Sequence, residues 1–174
     1  SVVVNDEGAE VAGQAVGISE EDLADNAATF TVSVSPSLNV GNSASVVLDF
    51  PGSATDGVDY TTAIETAISA AQGSGITYNA TTHTLTFTGG GASSLNFTVT
   101  ATNDDDADSA ETITVSLGNA TAVEGSASVS LTQGSATATI ADIDQAITFS
   151  VVVNDEGAEV AGQAVGISEE DLAD

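Results

Sequence analysis

The chain has 174 residues, of which 26 are Asp or Glu and none is Lys or Arg, giving a formal net charge of −26. It has no basic patch to offer nucleic acid or an anionic membrane surface, so both are excluded as partners. There is no Cys, which removes disulfides and thiolate chemistry, but 41% of residues are hydrophobic, so a packed core can form. The length suits one full domain and not comfortably two. No run approaches the roughly 18 apolar residues of a spanning helix, so direct membrane insertion is not expected. A chain that can bury a core yet repels itself needs cations from outside, and a divalent metal is the simplest source.

From the N-terminus, Ser1–Asp25 reads SVVVNDEGAEVAGQAVGISEEDLAD, and Ser150–Asp174 repeats it letter for letter at an offset of 149. This is the mark of tandem units, each a bead with its own core and with neighbouring repeats as its partners. The sequence divides into one repeat over 1–144, a linker over 145–149, and the start of the next repeat over 150–174. That tail holds only a first strand and an acidic turn. Alone it cannot bury Val151, Val153, Val160, Val165 and Ile167, so in isolation it should be disordered, and a head-to-tail contact is one way to order it. It would either enter a neighbouring molecule's sandwich, where the identical first strand belongs, or pack on a surface.

Within the repeat, Ala28–Ser35, Ser45–Phe50, Thr84–Thr88, Leu95–Thr102, Glu111–Leu117, Ser126–Leu131 and Ala136–Ile140 alternate β-branched or aromatic residues with small polar ones. Gly, Asn, Asp and Ser separate them. Short strands at this spacing predict an all-β, antiparallel, immunoglobulin-like sandwich of seven to nine strands. One short inserted helix is predicted over about 61–72, with Ile64, Ala67, Ile68 and Ala71 on one face. Thr62 and Glu65 have capping-box spacing, and Gly73 suits the position after the helix. The helix should cover an open edge or end of the sandwich. Gly89–Gly91 reads as a hairpin turn.

The carboxylates cluster between strands, at Asp6–Glu7, Glu20–Asp25, Asp56 with Asp59, Asp104–Asp108 with Glu111, and Asp142 with Asp144. Two carboxylates about 4 Å apart repel by roughly 4 kcal/mol near a protein surface, so converging loops of this kind call for a cation. Ca²⁺ accepts six to eight oxygens in flexible geometry, whereas Zn²⁺ would want Cys or His. The run DDDAD lacks the glycine and the closing glutamate of an EF-hand. Glu10, Asp49, Glu65 and Glu124 read as solvated.

Catalytic chemistry finds little support, and the chain is read as a non-enzyme. The single imidazole, His83, lies in a turn-like stretch with no acid or nucleophile nearby in sequence, and reads as an exposed turn residue. No G-x-S-x-G elbow occurs, and a glycosidase site would want aromatic platforms that two Tyr, five Phe and no Trp cannot supply.

The segments DGVDY (Asp56–Tyr60), TLTFT (Thr84–Thr88), FTVTA (Phe97–Ala101), NDDDAD (Asn103–Asp108), ETITVSL (Glu111–Leu117) and ATATIADID (Ala136–Asp144) resemble the Calx-β domain. So does ISEED (Ile18–Asp22) ahead of TFTVSV (Thr29–Val34). The resemblance implies an immunoglobulin-like sandwich that binds several Ca²⁺ ions at one end. Carried over by position, its ligands become Glu20 or Glu21, Asp59, Asp104, Asp105, Asp106, Glu111, Asp142 and Asp144. Lysine-free repeats of this kind also resemble the extender regions of RTX adhesins of Gram-negative bacteria. That likeness implies type I secretion, a place on the cell surface, and service as a calcium-stabilised spacer. A calcium-dependent module gripping a glycan or a protein is the alternative.

Overall fold

The computed structural model describes residues 1–6, 16–104, 109–122, 130–142 and 148–151. Among them the elements in chain order are β1 (Val2–Asn5), β2 (Val16–Ser19), β3 (Ala27–Ser33), β4 (Ser43–Asp49), α1 (Ile64–Ala71), β5 (Ile76–Asn79), β6 (Thr84–Thr88), β7 (Ser94–Thr100), β8 (Glu111–Ala122) and β9 (Ser135–Ala141). They form two sheets, one ordered β1-β3-β7 and the other β2-β9-β8-β4-β6-β5. The result is a two-sheet β-sandwich with one short helix.

Period-two alternation sets which side of each strand faces the core. Ala28, Phe30 and Val32 of β3, Leu95, Phe97 and Val99 of β7, and Ile113, Val115 and Leu117 of β8 are all buried. Phe30 and Phe97 are cross-strand partners, and their rings stack with centroids 5.5 Å apart. The opposite faces carry paired hydroxyls in place of charges. Thr29 and Thr98 meet at 2.9 Å, Ser45 and Thr86 at 2.8 Å, and Thr114 and Thr137 at 3.0 Å, each pair directly opposed across its ladder. Such neutral cross-strand pairs are favourable, whereas like charges in those places would oppose pairing. In a chain without cations this leaves the turns as the place for acidic residues.

The sandwich is antiparallel except where β2 runs parallel to β9, from Val16↔Ala138 to Ser19↔Ala141. The N-terminal segment serves both sheets: β1 lies beside β3 in one and β2 beside β9 in the other. Four points differ from the sequence reading, add to it or pass beyond the described residues. Gly89–Gly91 does not close a hairpin, because β6 and β7 belong to different sheets and the glycines carry the chain between them. The passage is tight: a Cβ on Gly89 would overlap the Asn39 carbonyl, and one on Gly91 the Ser74 carbonyl. β5 was hidden in sequence, being a four-residue strand directly after the helix. The strand expected over 126–131 falls mostly outside the described residues, and Ser130 and Leu131 are not in a strand.

The fourth point concerns the helix. Ala63 is its N-cap, with no side-chain cap hydrogen bond, so the Thr62–Glu65 capping box does not form. Glu65 is not simply solvated either. Its Oε1 accepts the Tyr78 hydroxyl at 3.0 Å and lies 3.2 Å from His83 Nε2. Burial, that hydrogen bond and the Glu65 charge together push the Tyr78 hydroxyl far above its ordinary pKa. Gln72 ends the helix, donating to Ser69 O and accepting from Tyr78 N. Ile64 and Ile68 are buried and Ala67 and Ala71 pack on the core, as the sequence spacing required. The helix rests on β7 and β5, the two edge strands on that side, so it covers the open edge between the sheets.

Candidate metal site at the acidic pole

Strand direction and register decide which turns meet. β2 ends at Ser19 beside Ala141, where β9 ends. β8 begins at Glu111, opposite Ile140. In the other sheet β7 ends where β3 begins, with Thr100 opposite Ala27. The turn after β2, the loop between β7 and β8, and the exit from β9 therefore open at one pole.

The segment after β4 joins them there. Ala54 N donates to Thr112 O at 3.0 Å, and Ser53 and Thr112 exchange hydrogen bonds through backbone and hydroxyl groups. Thr61 N then reaches Thr100 O and Thr102 N reaches Asp59 O, both at 3.0 Å, with Tyr60 bridged to Ala101. The stretch Asp56–Tyr60 is thereby fastened to the end of β7. Tyr60 is buried in the core beneath it. Burial raises the pKa of its hydroxyl above the ordinary value, and the charges of Asp56 and Asp59 add to the effect.

Among the described residues Asp59 is the buried carboxylate of the pole, at 8% exposure. Its Oδ2 accepts the backbone N–H of Thr55, and Asp59 N donates to Thr55 O at 3.0 Å, closing a tight local turn. Glu111 opens β8 with its Oε2 shut away from solvent. Glu20 and Glu21 are half-buried in the turn that leaves β2. Glu20 N approaches Ala141 O, and Glu21 Oε2 accepts the Ser19 hydroxyl at 3.1 Å. Asp25 N donates to Asp22 O at 2.8 Å and Ser19 N to Asp25 O at 2.8 Å, so the turn is closed on itself. Asp104 and Asp142 are half-buried at the ends of the loop after β7 and of β9.

Six of the nine expected ligands thus lie at one pole: Glu20, Glu21, Asp59, Asp104, Glu111 and Asp142. Asp105, Asp106 and Asp144 fall outside the described residues. Among the described residues no three acidic or imidazole side chains converge closely enough to hold a metal ion. Among the described residues the topology gathers the turns without bringing their carboxylates into a single cluster. Thr102 was not among the expected ligands. Its Oγ1 is buried with no hydrogen-bond partner among the described residues, one turn from the acidic run. Only its position immediately before Asn103–Asp108 marks it in sequence.

The donors at the pole are all oxygens, which suits a hard cation, and the sequence holds no Lys or Arg to neutralise them. Among the described residues the one side-chain salt bridge is His83–Glu65, on the helix side of the molecule.

A two-sheet sandwich with an acidic pole is the class this geometry defines. The family model of the Calx-beta domain matches residues 61–144, from the end of the Asp56–Tyr60 loop through the closing acidic run. Among solved structures the chain is similar to the calcium binding domain CBD12 of CALX1.1, at 16% identity over 80% of this chain and 43% of that one, with a TM-score of 0.45. It is similar to the apo form of the Calx CBD1 domain at 16% identity over 82% of this chain and 98% of that one, TM-score 0.45. The CBD12 structure from CALX1.2 matches at 18% identity over 79% of this chain and 42% of that one, TM-score 0.44. The chain thus spans less than half the length of both CBD12 structures. No curated protein sequence matches it.

Proposed function

We propose that this chain is a calcium-stabilised structural repeat, a spacer in the stalk of an adhesin on a bacterial cell surface. The observation that carries the calcium part is the gathering of acidic turns at one pole in a chain with no Lys or Arg. The Calx-beta match over 61–144 supports it, since it takes in Asp104, Asp105, Asp106, Glu111, Asp142 and Asp144. Bound there, several Ca²⁺ ions would supply the positive charge that holds loops from both sheets together. Asp59 would approach from the loop after β4, Asp104 and Glu111 from the β7–β8 loop and the start of β8, and Glu20 or Glu21 with Asp142 from the β2 and β9 ends.

The exact repetition of Ser1–Asp25 as Ser150–Asp174 supports the spacer part, because identical units in tandem extend a chain without adding a new surface. A place outside the cell, reached by type I secretion, follows from the likeness to adhesin extenders. Millimolar calcium there would keep the pole neutralised. No catalytic role is assigned to any residue.

A thermal melt with and without chelator tests the calcium reading. Free Ca²⁺ tenfold above its dissociation constant adds about 1.4 kcal/mol per site. Several sites would be a large share of a domain's usual stability of roughly 5–15 kcal/mol. The chain is expected to melt well below its calcium-loaded temperature in excess chelator. Equal melting temperatures in the two media would refute calcium stabilisation.

A further inference from the structure

At the end of the sandwich away from the acidic pole lies an open cleft of about 510 Å³. Val32, Val34, Leu38, Val46, Phe87 and Leu117 are among its walls, and Ser1 stands at its rim. β1 already runs to that rim. The Ser1 nitrogen donates to Ser33 O at 2.9 Å and the two serine hydroxyls lie 2.9 Å apart, so the β1–β3 ladder continues past Val2. Along β1 the inward positions are Val2 and Val4, both buried. One residue before Ser1 is in phase with them and would face the space between the sheets.

The repeat identifies that residue. Ser150 is the counterpart of Ser1, so in a tandem array the residue joined ahead of Ser1 is Phe149 of the preceding unit. In sequence Ile147, Phe149 and Val151 alternate with Ala146, Thr148 and Ser150, and Val153 keeps the same phase past Val152, so one strand pattern runs through the repeat boundary. In this chain Phe149 is 94% exposed and Val151 97% exposed, whereas Val2, the counterpart of Val151, is 0% exposed. A phenylalanine so exposed, in phase with a buried face, is an anchor awaiting its cover.

We propose that Phe149 of each unit is the first inward-facing side chain of the next unit's β1 and fills the cleft walled by Val32, Val34, Leu38 and Phe87 of that unit. This rests on the tandem-repeat reading, and it does not depend on calcium. It extends β1 backwards into what the sequence presents as linker, and it joins successive sandwiches by apolar contact as well as by the covalent chain. A hinge at that junction becomes a clamped joint.

The chain has no Trp, so Phe149→Trp in a protein of two complete repeats gives a single fluorescent reporter at the junction. Its emission is expected to be blue-shifted and its quenching by acrylamide several-fold weaker than for the same substitution in the 174-residue chain at low concentration. This should hold in calcium and in chelator alike, provided the repeats remain folded by circular dichroism. Equal quenching in the two proteins would overturn the proposal. Because tryptophan is larger than phenylalanine, Phe149→Ser in the two-repeat protein is the companion variant. It should lower the melting temperature of the second unit and leave the first unchanged, and an unaltered second unit would also count against the clamp. Shielding of the tryptophan without any calcium effect on melting would refute calcium stabilisation and leave the clamp standing.

Discussion

Asp59 is placed by backbone before it can serve any ion. Its N–H and its Oδ2 both engage Thr55, and its carbonyl holds Thr102 N, so the carboxylate is fixed at the joint between the loop after β4 and the end of β7. Asparagine keeps an oxygen that can accept from Thr55 but removes the charge. The two roles of the side chain therefore separate in Asp59→Asn. In chelator the variant should melt close to the parent chain, its turn intact. In calcium it should fall short of the parent by about 1–3 kcal/mol, the usual effect of losing a charged buried acceptor. Paired melts in the two media check this, and a loss of the same size in both would make Asp59 a structural residue alone.

The helix shows how a short element is held by its surroundings. Eight residues are too few for a helix to persist alone in water, so α1 depends on what it covers. Ile68 is fully buried against the edge of the sandwich, and Glu65 ties the first turn to the β5–β6 hairpin through Tyr78 and His83. His83 itself adopts φ 52° in the turn of that hairpin, where Asn79 Oδ1 accepts from the N–H groups of Thr81 and Thr82. Truncating Ile68→Ala should cost roughly 2–5 kcal/mol by urea denaturation, as for other large-to-small core changes. Ser69→Ala on the exposed side should be neutral or slightly stabilising, given the helix propensity of alanine. Similar destabilisation by both would mean the helix does not pack as described.

At the scale of the whole molecule the two ends have different chemistry. One pole carries the acidic turns and the other the apolar cleft, and each lies where a tandem neighbour's sequence must pass. Asp142 follows β9 at the acidic pole, and the chain leaves for the next unit from there, so calcium at the pole would fix the start of the linker. A chain of several repeats should lengthen when calcium is added, read as the maximum dimension in small-angle X-ray scattering. The same dimension with calcium and with chelator would exclude calcium as the stiffener of the junction. The head-to-tail placement of residues 152–174 lies outside the described residues.

Alternation of apolar and small polar residues was enough to place β3, β4, β6, β7, β8 and β9 in sequence, because a strand with one buried face must repeat every two residues whatever its neighbours are. The spacing of Ile64, Ala67, Ile68 and Ala71 placed the buried face of α1 for the same reason at a different period. The carboxylate clusters were equally visible, since a sequence without Lys or Arg leaves them only turns and outside cations. Pairing was not visible. Whether Gly89–Gly91 closes a hairpin or crosses between sheets depends on which strands β6 and β7 meet, and β6 meets β4 and β5 while β7 meets β3. Glu65 and His83, eighteen positions apart, become partners only because α1 is laid over the β5–β6 hairpin. The residues that share the acidic pole come from turns up to about 120 residues apart. Sequence fixes periodicity and charge, which are local; contact between distant turns is a property of strand order and register, which tertiary packing alone decides.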